Sequence, residues 1–167
     1  EIDYISDIYK KFPYKRIWIT DENFGILKRD IKIAGYLYQS KKEKGYPQGV
    51  KLYFDKKFQL NSRMASVHLA DMESDGVTLA FQTLNEQTLK AIKRINLTDD
   101  EMEETIKWAR ENGFPVSTQL IQGLPYETKD TFMECIEYLI QKRVNSLGIF
   151  QCMVLKGAEL NRRSERE

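Results

Sequence analysis

The 167 residues carry 26 Lys and Arg against 25 Asp and Glu, for a formal net charge of +1, with 41% hydrophobic and 11% aromatic residues. That balance belongs to a folded globular domain and excludes a disordered chain. No run approaches the roughly 20 apolar residues of a membrane-spanning helix, no basic excess marks a nucleic-acid surface, and two cysteines at positions 135 and 152 make neither a disulfide framework nor a metal motif.

The chain enters on a helical pattern (Ile2, Ile5, Ile8, Tyr9) with no signal-like apolar segment, and ends in the charged run 161–167. Both ends read as cut, which predicts an excised, cytoplasmic piece of a longer protein. A first strand over Ile17–Thr20 runs into the polar cluster Asp21-Glu-Asn-Phe-Gly25, and a second lies over Val50–Phe54. The periodicity predicts a helix over 61–74 with Met64, Val67, His68 and Met72 on its buried face. A third strand, Val77–Phe81, runs into Gln82-Thr-Leu-Asn85. Asn85 caps the next helix, which carries Arg94, and Thr98-Asp-Asp-Glu101 is a capping box opening another with Ile106, Trp108 and Ala109. The fourth strand, Val116–Ile121, leads through Gln122-Gly-Leu-Pro-Tyr-Glu-Thr128. Thr128 caps a helix over 129–142 that buries Phe132, Cys135, Ile136 and Leu139, and the last strand covers Leu147–Val154. Gly45, Gly76 and Gly113 fall where a left-handed residue ends a helix.

The order is a helix and then five strands separated by four helices, which implies one domain with a parallel sheet covered by helices. Periodicity leaves a β/α barrel and an open doubly wound sheet equally available. In both, ligands lie at the carboxyl ends of the strands. Asp21 and Asn23 either bind there or cap the following helix. Gly123-Leu-Pro125 is a close-approach loop or an ordinary turn. Gln82 stands at the end of an apolar strand, where a buried amide needs partners. A lone helical arginine such as Arg94 is usually solvated, and His68, the single histidine, belongs to a core face. Cys135 reads as helix core, and Cys152 has no neighbouring histidine to make it a nucleophile. GxxxxGK[ST], GxGxxG and HExxH patterns are absent. The residues alone describe a ligand-binding rim without an evident catalyst.

Five segments in order resemble the radical S-adenosylmethionine superfamily, in particular its cobalamin-associated and coproporphyrinogen-oxidase-like branches. They are Ile19-Thr-Asp-Glu-Asn-Phe-Gly25, Leu79-Ala-Phe-Gln82-Thr-Leu-Asn85, Leu89-Lys-Ala-Ile-Lys-Arg94-Ile-Asn96, Gln119-Leu-Ile-Gln-Gly-Leu-Pro-Tyr-Glu-Thr128 and Met153-Val-Leu-Lys-Gly-Ala-Glu-Leu160. The resemblance implies an α/β fold, a partial (β/α) barrel of parallel strands, in which residues 1–167 form one incomplete core with the family's second to sixth strands. It implies that Asp21, Glu22 and Asn23 address the amino group of S-adenosylmethionine and that Gln82 and Arg94 address its ribose and carboxylate. The segment from Gln119 to Gly123 would lie against ribose and adenine. Several relatives have Asp where this chain has Gln119, and Thr83 stands where Ser is usual.

The family's CxxxCxxC motif, which holds three irons of a 4Fe–4S cluster and follows its first strand, is absent from this sequence; its expected place is just before Glu1. The resemblance therefore implies a parent enzyme that cleaves S-adenosylmethionine to a 5′-deoxyadenosyl radical. Cobalamin-dependent methyl transfer or cyclisation of a small-molecule substrate is the first expectation for its reaction, with methylthio transfer or porphyrinogen-type oxidation behind it. The fragment alone would be inactive, with an exposed barrel edge open to self-association. The alternative is a clusterless, non-catalytic domain that binds a nucleotide or a partner.

Overall fold

The computed structural model describes residues 1–12, 16–72 and 76–164. Helix α1 (Ile2–Tyr9) precedes β1 (Arg16–Trp18), α2 (Lys28–Lys44), β2 (Gly49–Lys51) and α3 (Leu60–Leu69). Then follow β3 (Val77–Gln82), α4 (Glu86–Ala91), α5 (Asp99–Glu111), β4 (Val116–Gln122), α6 (Lys129–Gln141), β5 (Ser146–Gln151) and α7 (Glu159–Ser164). All strand pairs are parallel: β1 with β2, and β3–β4–β5 in that order. A parallel bridge between Phe24 and Phe54 extends the β1–β2 pair. Strand–helix alternation with parallel pairing is the architecture of a partial β/α barrel.

Both sheets share one core. Val50, Leu52, Val77, Leu79, Val116 and Leu120 bury one face of the strands against Leu37, Leu69, Met102, Ile106 and Leu139 of the helices. On β3 and β4, Val77, Leu79, Phe81, Val116, Thr118 and Leu120 are buried, while Thr78, Ala80, Gln82, Ser117, Gln119 and Ile121 are half-exposed. This two-residue alternation separates a helix-covered face from a more polar concave one. Thr78 and Ser117 hydroxyls meet across it at 2.9 Å.

The capping signals are realised. Asn85 Oδ1 accepts from the backbone N–H groups of Gln87 and Thr88, the Thr98–Glu101 box closes, and Thr128 Oγ1 accepts from Thr131 N–H. Cys135 is core, as expected.

Three expectations are corrected. The predicted helix over 61–74 ends at Leu69, and 73–75 lie outside the described residues. Its buried face is Ser62, Ala65, Ser66 and Leu69, whereas Met64 and Val67 are exposed, and so is His68, whose ring lies 6.3 Å from that of Tyr38. Helices α2 and α3 lie side by side, and small side chains let them approach where large ones would hold them apart. The third connection holds two helices, those announced by the caps at Asn85 and Thr98, so the described residues place five helices among the strands against the four counted. Arg94, expected on the first of them, is not helical. Helix α4 stops at Ala91, Lys93 takes φ 54°, and Arg94 N–H donates back to Leu89 C=O at 2.9 Å.

Candidate functional site

The loop after β1 is built on buried acids. Asp30, only 2% exposed, accepts from the N–H groups of Gly25 (2.9 Å) and Leu27 (3.1 Å) through Oδ2. Leu27 is the N-cap of α2 and Asp30 closes its capping box, so neither Asp21 nor Asn23 caps this helix. Asp55, also buried, accepts from Lys57 N–H (3.0 Å), Gln59 N–H (3.3 Å) and the Ser62 hydroxyl. Gly25 fits against Ser62 at φ 97°, in space where a side chain would collide. The loop is thereby fixed from below, with Asp21, Glu22 and Asn23 exposed at its crest. Asp21 accepts from Asn23 N–H at 2.9 Å, which orders the turn.

At the end of β3 the backbone leaves regular geometry. The register with β4 shifts between Ala80 and Gln82, and Gln82 takes φ 66°. A non-glycine residue in the left-handed region at a strand end is strained, and such strain collects where a side chain must be aimed. Gln82 lines a cleft of about 490 Å³ with Lys56, Ile92, Arg94, Leu124 and Glu159.

Arg94 reaches under this cleft. Its Nη2 donates to Ala80 C=O and its Nε to Asn96 Oδ1 at 3.2 Å, and Asn96 Nδ2 donates to Thr83 C=O at 2.7 Å. Thr83, fully buried, donates its hydroxyl to Glu127 and accepts from Asn85 N–H at 3.1 Å. One hydrogen-bonded chain thus ties the loop after β4 to the loop after β3 and to Arg94. Burial lowers the Arg94 pKa from its ordinary value, with no carboxylate contributing to offset it. The Glu127 carboxyl is pushed up by burial against the opposing Thr83 hydrogen bond, and its Oε2 has no hydrogen-bond partner.

Gln82 and Arg94 are therefore brought together. Gln119 lies on the same face of the sheet, paired in register with Ala80, the residue whose carbonyl holds Arg94. Gly123 follows β4 at φ 85°, with Cys152 beside it. Asp21, Glu22, Asn23, Gln119 and Gly123 are not among the residues lining the Gln82–Arg94 cleft. Sequence reading missed Asp30, Asp55, Asn96 and the function of Glu127. The spacing of Leu27 to Asp30 and the quoted Gly-Leu-Pro-Tyr-Glu-Thr128 were the available signals.

The donor set tests the implied cofactors. A half-buried guanidinium whose hydrogen bonds among the described residues go to neutral oxygens, beside an amide in an open cleft that Glu159 also lines, fits the carboxylate end of S-adenosylmethionine. The cluster does not fit. It needs three thiolates, while this chain has two cysteines, of which Cys135 is 4% exposed inside the helix core. No group of three His, Cys, Asp or Glu suited to a metal gathers among the described residues. Nor is any helix among them long and apolar enough to cross a membrane.

The radical SAM superfamily model matches residues 1–139. The chain is 33% identical over 158 residues to the cobalamin-dependent radical SAM methyltransferase TokK of Streptomyces tokunonensis, covering 92% of this chain and 23% of TokK. It is 29% identical over 150 residues to 2-(S-pantetheinyl)-carbapenam-3-carboxylate methyltransferase of Streptantibioticus cattleyicolor, covering 87% of this chain and 22% of that protein. The chain thus spans under a quarter of the length of these curated relatives. Among solved structures, Escherichia coli coproporphyrinogen III oxidase superposes with a TM-score of 0.70 at 15% identity, over 97% of this chain and 38% of the other. The Kitasatospora setae methyltransferase TsrM, with cobalamin and a 4Fe–4S cluster bound, gives 0.68 at 14% identity, over 93% and 28%. With the family match running over residues 1–139, this chain belongs to the radical S-adenosylmethionine superfamily, a family of enzymes that use S-adenosylmethionine and a 4Fe–4S cluster.

Proposed function

We propose that residues 1–167 are the S-adenosylmethionine-holding part, from second to sixth strand, of a cobalamin-dependent radical methyltransferase acting on a small molecule. The observation that carries this reading is Arg94, a cation that lines one cleft with Gln82 and whose hydrogen bonds among the described residues go to neutral oxygens. The relatives add weight: TokK is named as a cobalamin-dependent methyltransferase, the carbapenam enzyme as a methyltransferase, and TsrM was solved with tryptophan and an S-adenosylmethionine analogue.

In this reading Arg94 takes the methionine carboxylate and Gln82 hydrogen-bonds the ribose. Asp21, Glu22 and Asn23 receive the amino group, and the Gln119–Gly123 segment lies against ribose and adenine. The cofactor held there would supply the methyl group and the radical chemistry. This chain's residues bind and orient it: Asp30 and Asp55 fix the first loop, while Asn96, Thr83 and Glu127 fix Arg94. The cluster's thiolates come from polypeptide outside these 167 residues, in keeping with the small share of the relatives that the chain spans.

The test is to read the coding sequence upstream of Glu1, and to reconstitute the longer polypeptide anaerobically with iron, sulfide and cobalamin. A CxxxCxxC motif, and label passing from the S-adenosylmethionine methyl group to a small-molecule acceptor, are expected. An upstream segment without those cysteines would leave a clusterless binding domain.

A further inference from the structure

The β1–β2 pair presents a face that the cofactor cleft does not use. Ile17 and Val50 point into the core, Val50 with no exposure at all. Alternation then turns Arg16 and Trp18 of β1, and Gly49 and Lys51 of β2, to the opposite, concave side. Parallel register sets Arg16 against Gly49 and Trp18 against Lys51. Trp18 is 61% exposed, and the Lys51 ammonium stands 5.2 Å from the centre of its ring. Gly49 lets Arg16 lie flat on the sheet, since a Cβ at 49 would stand 2.9 Å from Arg16 Cγ and 3.2 Å from its Nε.

The chemistry of this wall is specific. It holds two cations, a flat aromatic surface, and no acidic residue at the four paired positions. Among the described residues, no salt bridge includes Arg16 or Lys51. An indole that carries an ammonium over its ring and is still largely exposed has surface left for the flat or apolar body of a ligand, and a guanidinium spread over a glycine offers a two-pronged donor to an oxyanion.

We propose that this wall is the substrate-recognition surface, taking an organic oxyanion, carboxylate or phosphate, with Arg16 and Lys51 while its apolar or planar body lies on Trp18. The proposal deepens the reading of the chain as a small-molecule-binding radical SAM core and rests on it for the word substrate. The anion preference stands on the wall's own residues. Arg94, the other candidate anion site, belongs to a separate strand end.

The test uses the 167-residue chain and three probes: 2-naphthoate, its neutral carboxamide, and 2-naphthyl phosphate. Binding is read from the indole N–H resonances of Trp18 and Trp108, assigned with Trp18→Phe. The naphthoate or the phosphate is expected to move the Trp18 resonance with a Kd at least about tenfold below that of the carboxamide. Whichever anion binds more tightly assigns the oxyanion. Arg16→Gln and Lys51→Gln should each erase most of the preference, and Gly49→Ala should weaken it by displacing Arg16. Arg94→Ala should leave it intact. Equal binding of charged and neutral probes would overturn the proposal, as would shifts confined to Trp108 or a preference that survives both charge removals. Loss of the preference in Arg94→Ala would move the anion to the cofactor cleft and equally overturn it. Equal binding of S-adenosylmethionine and its decarboxylated analogue would refute the cofactor assignment and leave these titrations unchanged, so the two failures are distinguishable.

Discussion

Replacing Gly25 by Ala should destabilise the chain by about 2–4 kcal/mol. Two terms add. At φ 97° an L-residue is strained by roughly 1–2 kcal/mol relative to glycine. The new Cβ would also lie 2.6 Å from Ser62 Cα, so α3 or the loop must shift, an overpacking cost of about 1–3 kcal/mol. The lower entropy of an unfolded alanine returns only about 0.4–1 kcal/mol. Urea unfolding followed by far-UV circular dichroism should show the midpoint falling by about 1–2 M, and Tm should drop by about 5–15 °C. Gly35→Ala is the control. It lies in α2 with nothing within 4 Å of its added Cβ, and should be neutral or stabilising by up to about 1 kcal/mol. If Gly25→Ala unfolds within about 0.5 kcal/mol of the parent, the loop is not seated on α3 as described.

Asp30→Ala strands the Gly25 and Leu27 N–H groups and removes the capping box of α2, so a loss of about 2–4 kcal/mol is expected in the same assay. A loss under about 1 kcal/mol would mean water replaces the carboxylate without consequence. Glu127 has its pKa raised by burial. A raised acid favours the fold while protonated, so its contribution is complete below its ordinary value of 4.5 and is lost as pH rises through the folded value. Glu127→Gln, neutral throughout, should therefore gain stability relative to the parent between about pH 4 and about pH 7, with the two converging in acid. Unfolding curves that diverge towards acid would reverse the assignment. The isolated chain should bind S-adenosylmethionine weakly because it lacks the cluster's thiolates. Nanomolar affinity by calorimetry would contradict this.

The parts of the fold that follow from local chemistry were legible in advance. Asn85, Thr98 with Glu101, and Thr128 begin helices because their side chains satisfy the first backbone N–H groups, a condition written in four consecutive residues. The five strands were found from β-branched runs, though β1 and β2 are shorter than their runs suggested. What was not legible depends on partners distant in sequence. The small face of α3 is dictated by its neighbour α2, so the larger Met64 and Val67 mislead. Arg94 reads as helical until the turn at Lys93 is known, and that turn takes a residue with no special propensity for it. The bulge that turns Gln82 arises from pairing with β4 across more than thirty intervening residues. The wall of Arg16, Trp18 and Lys51 emerges only when β1 and β2 are set in register.

The most direct test of the account compares S-adenosylmethionine with its decarboxylated analogue on the chain and on Arg94→Ala. A charge-assisted contact between Arg94 and the methionine carboxylate is worth about 1.5–3 kcal/mol, so removing either partner should weaken binding about ten- to a hundred-fold. Removing both should weaken it little further, the signature of a single shared interaction. Equal binding of the two compounds by the unaltered chain would contradict the assignment of Arg94 and, with it, the placement of the cofactor at the end of β3.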